Sequence, residues 1–442
     1  MEQKKRNPWA WIPSLYFAQG LPYVAVMTIA VIMYKNLGLS NTEIALYTSW
    51  LYLPWVVKPI WSPFVDIIKT KRWWVVTMQS LIAVGFAGIA FTIPTPFFVQ
   101  ATLACFWLLA FSSATHDIAA DGFYMLGLDE GDQSVFVGIR NTFYRIATVF
   151  GQGVLVMFAG WLEVNGTEAF PGICSFMEKQ GFESGSIPIA WSITFFLIAA
   201  IFLGLALYHG FVLPKPAADV KRENVGIVEL FKNFGMTFVT FFQKKNIGLI
   251  LFFLLTYRLG ESQLVKIASP FLLEARATGG LGVSTTMVGM IYGTIGVIAL
   301  LIGGIVGGLL VSKDGFKKWI LPMAIAINLP DLVYVYLAAY TPENVWLVIV
   351  SVAIEQLGYG FGFTAFMMYL IYVARGTHST AHYAIGTGFM ALGMMLPGMA
   401  AGAIQEWLGY TNFFIWVCVW TLPGIFAAWL VKNKLEPEFG KK

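Results

Sequence analysis

Apolar residues along this chain gather into runs long enough to cross about 30 Å of hydrocarbon as helices. Twelve such runs lie near 9–34, 42–65, 73–93, 97–120, 135–161, 189–212, 247–272, 285–311, 318–340, 344–373, 380–404 and 412–432. Polar residues are largely confined to the gaps between them. The longest gap, 213–246, opens with Pro214-Lys215-Pro216 and closes with Lys244-Lys245-Asn246, dividing the runs six and six. Inside it, Val225 to Phe242 mixes Val228, Leu230, Phe231, Phe234 and Phe238 with Glu229 and Lys232. That is the pattern of a helix lying in a membrane interface. The expected organisation is a six-helix bundle over 1–212, a linker over 213–246, and a second bundle with a short tail over 247–442.

Basic residues orient these runs. Twenty of the 28 Lys and Arg fall in segments on one side, from Lys4, Lys5 and Arg6 to Lys441 and Lys442, and only Lys35, Lys179 and Arg276 fall on the other. Both termini are therefore expected in the cytoplasm. The halves also echo each other. Trp61-Ser-Pro-Phe-Val-Asp66 leads into the basic turn Lys69 to Arg72, and Gly303 to Val311 leads into Lys313, Asp314 and Lys318. A duplicated six-helix unit predicts such matching features. The expected fold class is an all-α membrane protein of twelve transmembrane helices in two six-helix bundles, the major facilitator fold.

Composition closes off other classes. The chain is 58% hydrophobic and 12% charged, with a mean hydropathy of +0.71. Soluble domains carry about 25% charged residues, so this one lacks the polar surface to dissolve. Cys105, Cys174 and Cys418 are too dispersed for a disulfide framework or a metal cluster, as are the histidines at 116, 209, 378 and 382. The basic start leads into a run too long for a cleavable signal. No G-x-x-x-x-G-K-[ST] loop is present, which disfavours nucleotide-driven work. No nucleophile, base and metal set suggests an enzyme, no cofactor is implied, and nothing points to nucleic acid.

Charge inside the apolar runs is where function is expected. Each such group costs roughly 2.5–3.5 kcal/mol at the bilayer centre unless it is paired or hydrated. Phe111-Ser-Ser-Ala-Thr-His116-Asp117-Ile-Ala-Ala-Asp121 puts a histidine and two carboxylates at one end of the fourth run, and Arg140 and Arg145 lie in the fifth. Asp117 and Asp121, four apart, share one helical face. Arg140 and Arg145, five apart, point to different sectors, which suits Arg140 as the partner of Asp121 and the deeper Arg145 as a cargo ligand. Asp117, Asp121, Arg140, His116 and Asp66 are the candidates for proton coupling or an inner gate. A static ion network would use the same residues.

Candidates for a substrate cavity are Gln19, Lys58, Arg145, Arg258, Glu261, Asp331 and Glu355. Gln19 precedes Gly20 and Pro22, which break a helix in mid-span or simply kink it for packing. Lys58 either snorkels or meets an acidic partner. Arg258 and Glu261, three apart, can pair on one face. Acids deep in apolar surroundings can bind and release protons near neutrality. A proton crossing 100 mV supplies about 2.3 kcal/mol, roughly fifty-fold in accumulation.

Several stretches together resemble the AmpG-type branch of the major facilitator superfamily, which is grouped with acetyl-coenzyme A transporters. They are Phe17-Ala-Gln-Gly-Leu-Pro22, Val57-Lys-Pro-Ile-Trp-Ser-Pro-Phe-Val-Asp66, Phe111 to Asp121, Tyr144-Arg145, Tyr257-Arg-Leu-Gly-Glu261 and Glu355 to Phe366. The resemblance implies proton-coupled import of N-acetylglucosaminyl-anhydromuramyl peptides across the bacterial inner membrane. It places the D-I-x-x-D aspartates of the family on Asp117 and Asp121. His116 and the acidic loop from Glu163 to Pro188 depart from the pattern and bear on the cargo. The expected partners are a small solute, protons and the lipid bilayer, with the chain acting as a monomer. The alternatives are a carrier of another sugar, acyl or organic anion, or a non-transporting membrane sensor on the same fold.

Overall fold

The computed structural model describes residues 6–179, 186–220, 227–376 and 378–441. The side chains at 66, 130, 134, 177, 227–234 and 380 lie outside that description, and so does the gate role expected of Asp66. Among the described residues the chain is helical from Pro8 to Lys432, with turns between. Ten helical stretches are long and apolar enough to cross a membrane. They are spans one (Pro8–Asn36), three (Lys71–Thr92), four (Phe98–Gly127), five (Gly131–Ala169), six (Ser186–Val212), seven (Ile247–Leu273), eight (Thr285–Asp314), nine (Phe316–Tyr340) and ten (Val345–Ala374), and a last stretch, Ala381–Lys432.

Two breaks account for the remaining spans. Span two is split at Leu51 and Tyr52 into Asn41–Trp50 and Leu53–Ile68. The long last stretch is divided at Gly409, whose φ of 74° and ψ of 165° lie outside the helix. Only glycine adopts such a conformation without strain. Spans eleven and twelve lie on either side of it, and among the described residues the total is twelve.

Polar residues in the gaps start the helices by satisfying free backbone N–H groups. Ser40 and Glu43 form a reciprocal capping box. Thr70, Asp129, Ser284 and Asn344 each accept a backbone N–H in the first turn of spans three, five, eight and ten. Large apolar side chains left on the outside, such as Phe211, Val164, Trp346 and Leu309, suit a chain whose surroundings are hydrocarbon.

The spans are not all regular. A wide turn, Ala25–Ile29, follows Pro22 in span one, and similar turns occupy Phe150–Leu155 and Gly289–Gly296. Span seven is interrupted at Tyr257 and Arg258, between Ile247–Thr256 and Leu259–Leu273. Span nine tightens at Leu329–Asp331, around Pro330. The interruptions in spans seven and nine place Arg258 and Asp331 at the breaks. At Gly20 the sequence left a kink or a cavity open. A Cβ there would lie 2.9 Å from the Tyr144 carbonyl oxygen, so this glycine permits close packing of spans one and five.

The chain resolves into two compact units, one of residues 1–33 and 60–226, the other of 34–59 and 227–442. In the first, Trp11, Tyr16, Val75, Ala119, Phe123 and Leu213 belong to a buried cluster drawn from spans one, three and four and the end of span six. In the second, Phe253, Tyr257, Phe316, Ile320, Met323 and Phe366 centre a larger one. The linker helix, Ile227–Phe242, joins the second unit: Phe241 is fully buried against Phe389, while Met236 and Val239 are exposed.

Candidate functional site

Charge collects in two places, one in each unit. In the first unit, span four brings Asp121 to Arg140 of span five, with Nη1 3.6 Å from Oδ1. Tyr16 joins them, donating its hydroxyl to Asp121 Oδ1 at 3.2 Å and accepting from Arg140 Nη1 at 3.1 Å. The guanidinium lies over the Tyr16 and Tyr124 rings, 4.9 and 5.1 Å from their centroids. Cation–π contact of this kind anchors an arginine and screens its charge from an apolar environment. Asp117, Arg145 and Asp121 all act electrostatically on the half-buried Tyr144. Arg145 is half-buried, and Gln19 is buried with its Oε1 unpartnered among the described residues.

His116 lies in a different network. Its Nε2 is 3.0 Å from Gln79 Nε2, Gln79 Oε1 is 2.8 Å from His209 Nδ1, and His209 Nε2 is 2.9 Å from Ser14 Oγ. This buried chain joins spans four, three, six and one. Sequence reading missed Gln79 and His209; a lone amide in the apolar third run was the available signal.

In the second unit the break in span seven places Arg258 where its guanidinium folds forward onto Glu261. Nε donates to Oε2 at 2.7 Å and Nη2 to Oε1 at 2.9 Å, a two-pronged pair. Nη2 also donates to the Tyr359 hydroxyl at 2.9 Å, and the Tyr359 and Phe363 rings flank the cation. Such planar pairing is the strong form of an ionic hydrogen bond. Lys266, two turns on, donates to Thr48 at 3.0 Å and faces the Tyr52 ring. Lys58 is half-buried.

Glu355 of span ten is buried and accepts from Gln356 at 2.9 Å and from Tyr334 at 3.5 Å. Tyr334 in turn contacts the hydroxyl of Tyr292. Asp331 at the span-nine break is 1% exposed, and neither carboxylate oxygen has a hydrogen-bond partner among the described residues. The sequence singled out the acids but not the tyrosines at 292, 334 and 359.

Residues 34–59 form a polar clasp on spans seven and eleven of the same unit. Lys35 pairs with Glu274. Asn41 donates to Gln405 at 2.6 Å and to the Tyr410 hydroxyl at 2.9 Å, and Thr42 donates to Glu406 at 2.6 Å. Burial tends to raise Glu274, but hydrogen bonds from Lys35 and Thr278, the Lys35 charge and the Tyr410 hydroxyl outweigh it. Together they hold this carboxyl below its ordinary value. A carboxyl depressed in the docked state stabilises docking above its undocked value, near 4, and loses that contribution as pH falls through the lower docked one. Amide-exchange protection of Asn41–Trp50 is therefore expected to hold from neutrality down to about pH 4 and to weaken below it. Glu274→Gln is expected to flatten that dependence; an unchanged profile would refute the assignment.

Broken helices carrying paired and buried charge are set here in the major facilitator fold. No family model matches the chain. It is related, at low identity, to AmpG-type transporters. It is 25% identical over 442 residues to transporter AmpG 4 of Rickettsia conorii, covering 96% of each chain. It is 24% identical over 439 residues to the anhydromuropeptide permease of Escherichia coli K12, covering 96% of this chain and 79% of that one. A solved bacterial homolog of the human lysosomal transporter Spinster, in an inward-facing and unoccupied conformation, superposes with a TM-score of 0.71 at 14% identity. That match covers 96% of this chain and 95% of the other.

Proposed function

We propose that the chain is a solute–proton symporter that imports N-acetylglucosaminyl-anhydromuramyl peptides across the bacterial inner membrane, with both termini cytoplasmic. The observation that carries this reading is the Arg258–Glu261–Tyr359 group at the break in span seven. A buried guanidinium framed by aromatic rings suits a peptide carboxylate, and the adjoining carboxylate suits sugar hydroxyls. Near full-length relation to an anhydromuropeptide permease supports the same cargo.

In this reading Arg258, Glu261 and Lys58 in the second unit, and Gln19 and Arg145 in the first, face cargo. Asp117, Asp121 and Arg140 close the inner end of the first unit, on the six-plus-six division with its linker at 213–246. The clasp at 34–59 opens and re-forms in each cycle. A proton entering under 100 mV drives roughly fifty-fold accumulation.

Proteoliposomes given an inward pH gradient are expected to accumulate an anhydromuropeptide, with competition by other muropeptides and none by simple sugars or acyl anions. Uptake of an acyl or organic anion instead would move the cargo to that class. Binding without flux would favour a sensor. Asp117→Asn with full proton-linked uptake would remove Asp117 from the coupling role.

A further inference from the structure

The charges of the second unit do not balance in place. Glu261 is neutralised by Arg258 through two hydrogen bonds of 2.7 and 2.9 Å. Lys266 is directed to Thr48 and the Tyr52 ring. Asp331 and Glu355 are left with no ion pair among the described residues, although both are buried.

Glu355 has two neutral donors, Gln356 and Tyr334, while Asp331 has none. Charge on Asp331 is opposed by Glu355 and by Glu261, and charge on Glu355 by Glu261. The titratable groups facing Asp331 from the neighbouring spans are Tyr292, Tyr334, Glu355, Glu261 and Cys418. None brings a positive charge.

We propose that Asp331 is the proton-binding site of the transport cycle and holds its proton as a neutral carboxylic acid. This rests on the proton-coupled reading above and moves the coupling proton away from Asp117 and Asp121. Asp121 has a cation at hand in Arg140 and is well served as an anion. Asp331 has no such service, and an isolated carboxylate in an apolar interior is the costliest state it can take.

The break at Leu329–Asp331 supports the role. Pro330 and the tightened turn interrupt the regular helix at this acid, and the break packs against span ten and the helix Ser379–Trp420. A shift there can bring Asp331 to water. The step balances simply: the O–H bond of Asp331 breaks, the proton passes to water, and Asp331 is left as the anion.

The test has two arms. Infrared spectra of the purified, full-length protein at neutral pH are expected to show the carbonyl stretch of a protonated carboxylic acid. Asp331→Asn should remove a component of it, while Asp121→Asn should leave the band unchanged. In proteoliposomes, Asp331→Asn should lose the roughly fifty-fold accumulation that 100 mV supports while keeping cargo exchange down a concentration gradient. Asp331→Glu, which keeps the acid, should restore part of the driven uptake and guards against a variant that merely misfolds.

A carboxylic-acid band left unchanged by Asp331→Asn overturns the proposal. So does driven accumulation that survives the substitution, or that follows a sodium gradient in place of pH. If wild-type vesicles take up no muropeptide at all, the cargo reading fails, and the infrared arm still decides where the proton sits.

Discussion

Arg258→Ala is expected to abolish uptake and to cost about 3–5 kcal/mol of stability, because it strands Glu261 as an uncompensated buried charge. The guanidinium makes three hydrogen bonds and lies between two aromatic rings, so truncation removes packing as well as charge. Arg258→Lys keeps the charge but cannot reproduce the fork that meets both oxygens of Glu261. It should lie between alanine and wild type in stability and remain poor in uptake. The decisive comparison is the double variant Arg258→Ala, Glu261→Ala. With both charges gone, the electrostatic penalty vanishes and much of the lost stability should return. Uptake should not return, since the proposed cargo contacts have gone with the pair. Unfolding in detergent and proteoliposome uptake measure the two quantities separately. A single variant that loses less than about 1 kcal/mol would mean the pair is solvated. A double variant that recovers uptake would mean it never touched cargo.

What could be read from the chain beforehand follows how local each contact is. Arg258 and Glu261 sit three residues apart, and their pairing was legible because it survives even though the helix breaks beside Arg258. Asp121 and Arg140 were legible for a related reason: spans four and five are joined by a short turn at Leu128 and Asp129, which returns the chain to the same depth. The twelve runs themselves follow from hydropathy alone. Contacts between distant spans did not show. Nothing in the pattern around Gln79 indicates that it bridges two histidines from spans four and six. Nothing around Asp331 tells that its neighbours are tyrosines and acids without a cation. An apolar run reveals that a helix crosses hydrocarbon, whereas the face it turns toward each neighbour is set by packing against all of them. The linker helix shows both sides of this. Its amphipathic pattern was evident, but the docking of Phe241 beside Phe389 and of Thr240 beside His382 depends on span eleven.

The second large effect is expected at glycines where two helix backbones meet. A Cβ on Gly360 would stand 1.9 Å from the Leu300 carbonyl oxygen, and one on Gly402 would stand 2.0 Å from that of Asn41. Both obstacles are backbone, so no side-chain rotation relieves them. Gly360 joins spans eight and ten deep within the second unit. Gly360→Val has to push two full-length spans apart, and the loss should reach or exceed the 1–3 kcal/mol typical of overpacking. Gly402 holds spans eleven and two at the clasp, where the obstructing segment is the short helix Asn41–Trp50. That helix can lift away, giving up the bonds of Asn41 to Gln405 and Tyr410 and of Thr42 to Glu406. Gly402→Val should therefore lower stability less than Gly360→Val, yet open the clasp far more. A cysteine introduced at Thr42 should label slowly in the parent and rapidly with Gly402→Val, while Gly360→Val should change labelling only as the whole protein unfolds. A transporter whose clasp cannot re-form also loses the closed half of its cycle, so driven accumulation should fail in the Gly402 variant although the fold persists. Equal labelling with and without the valine would show that residues 34–59 stay docked, and would remove the clasp from the transport cycle.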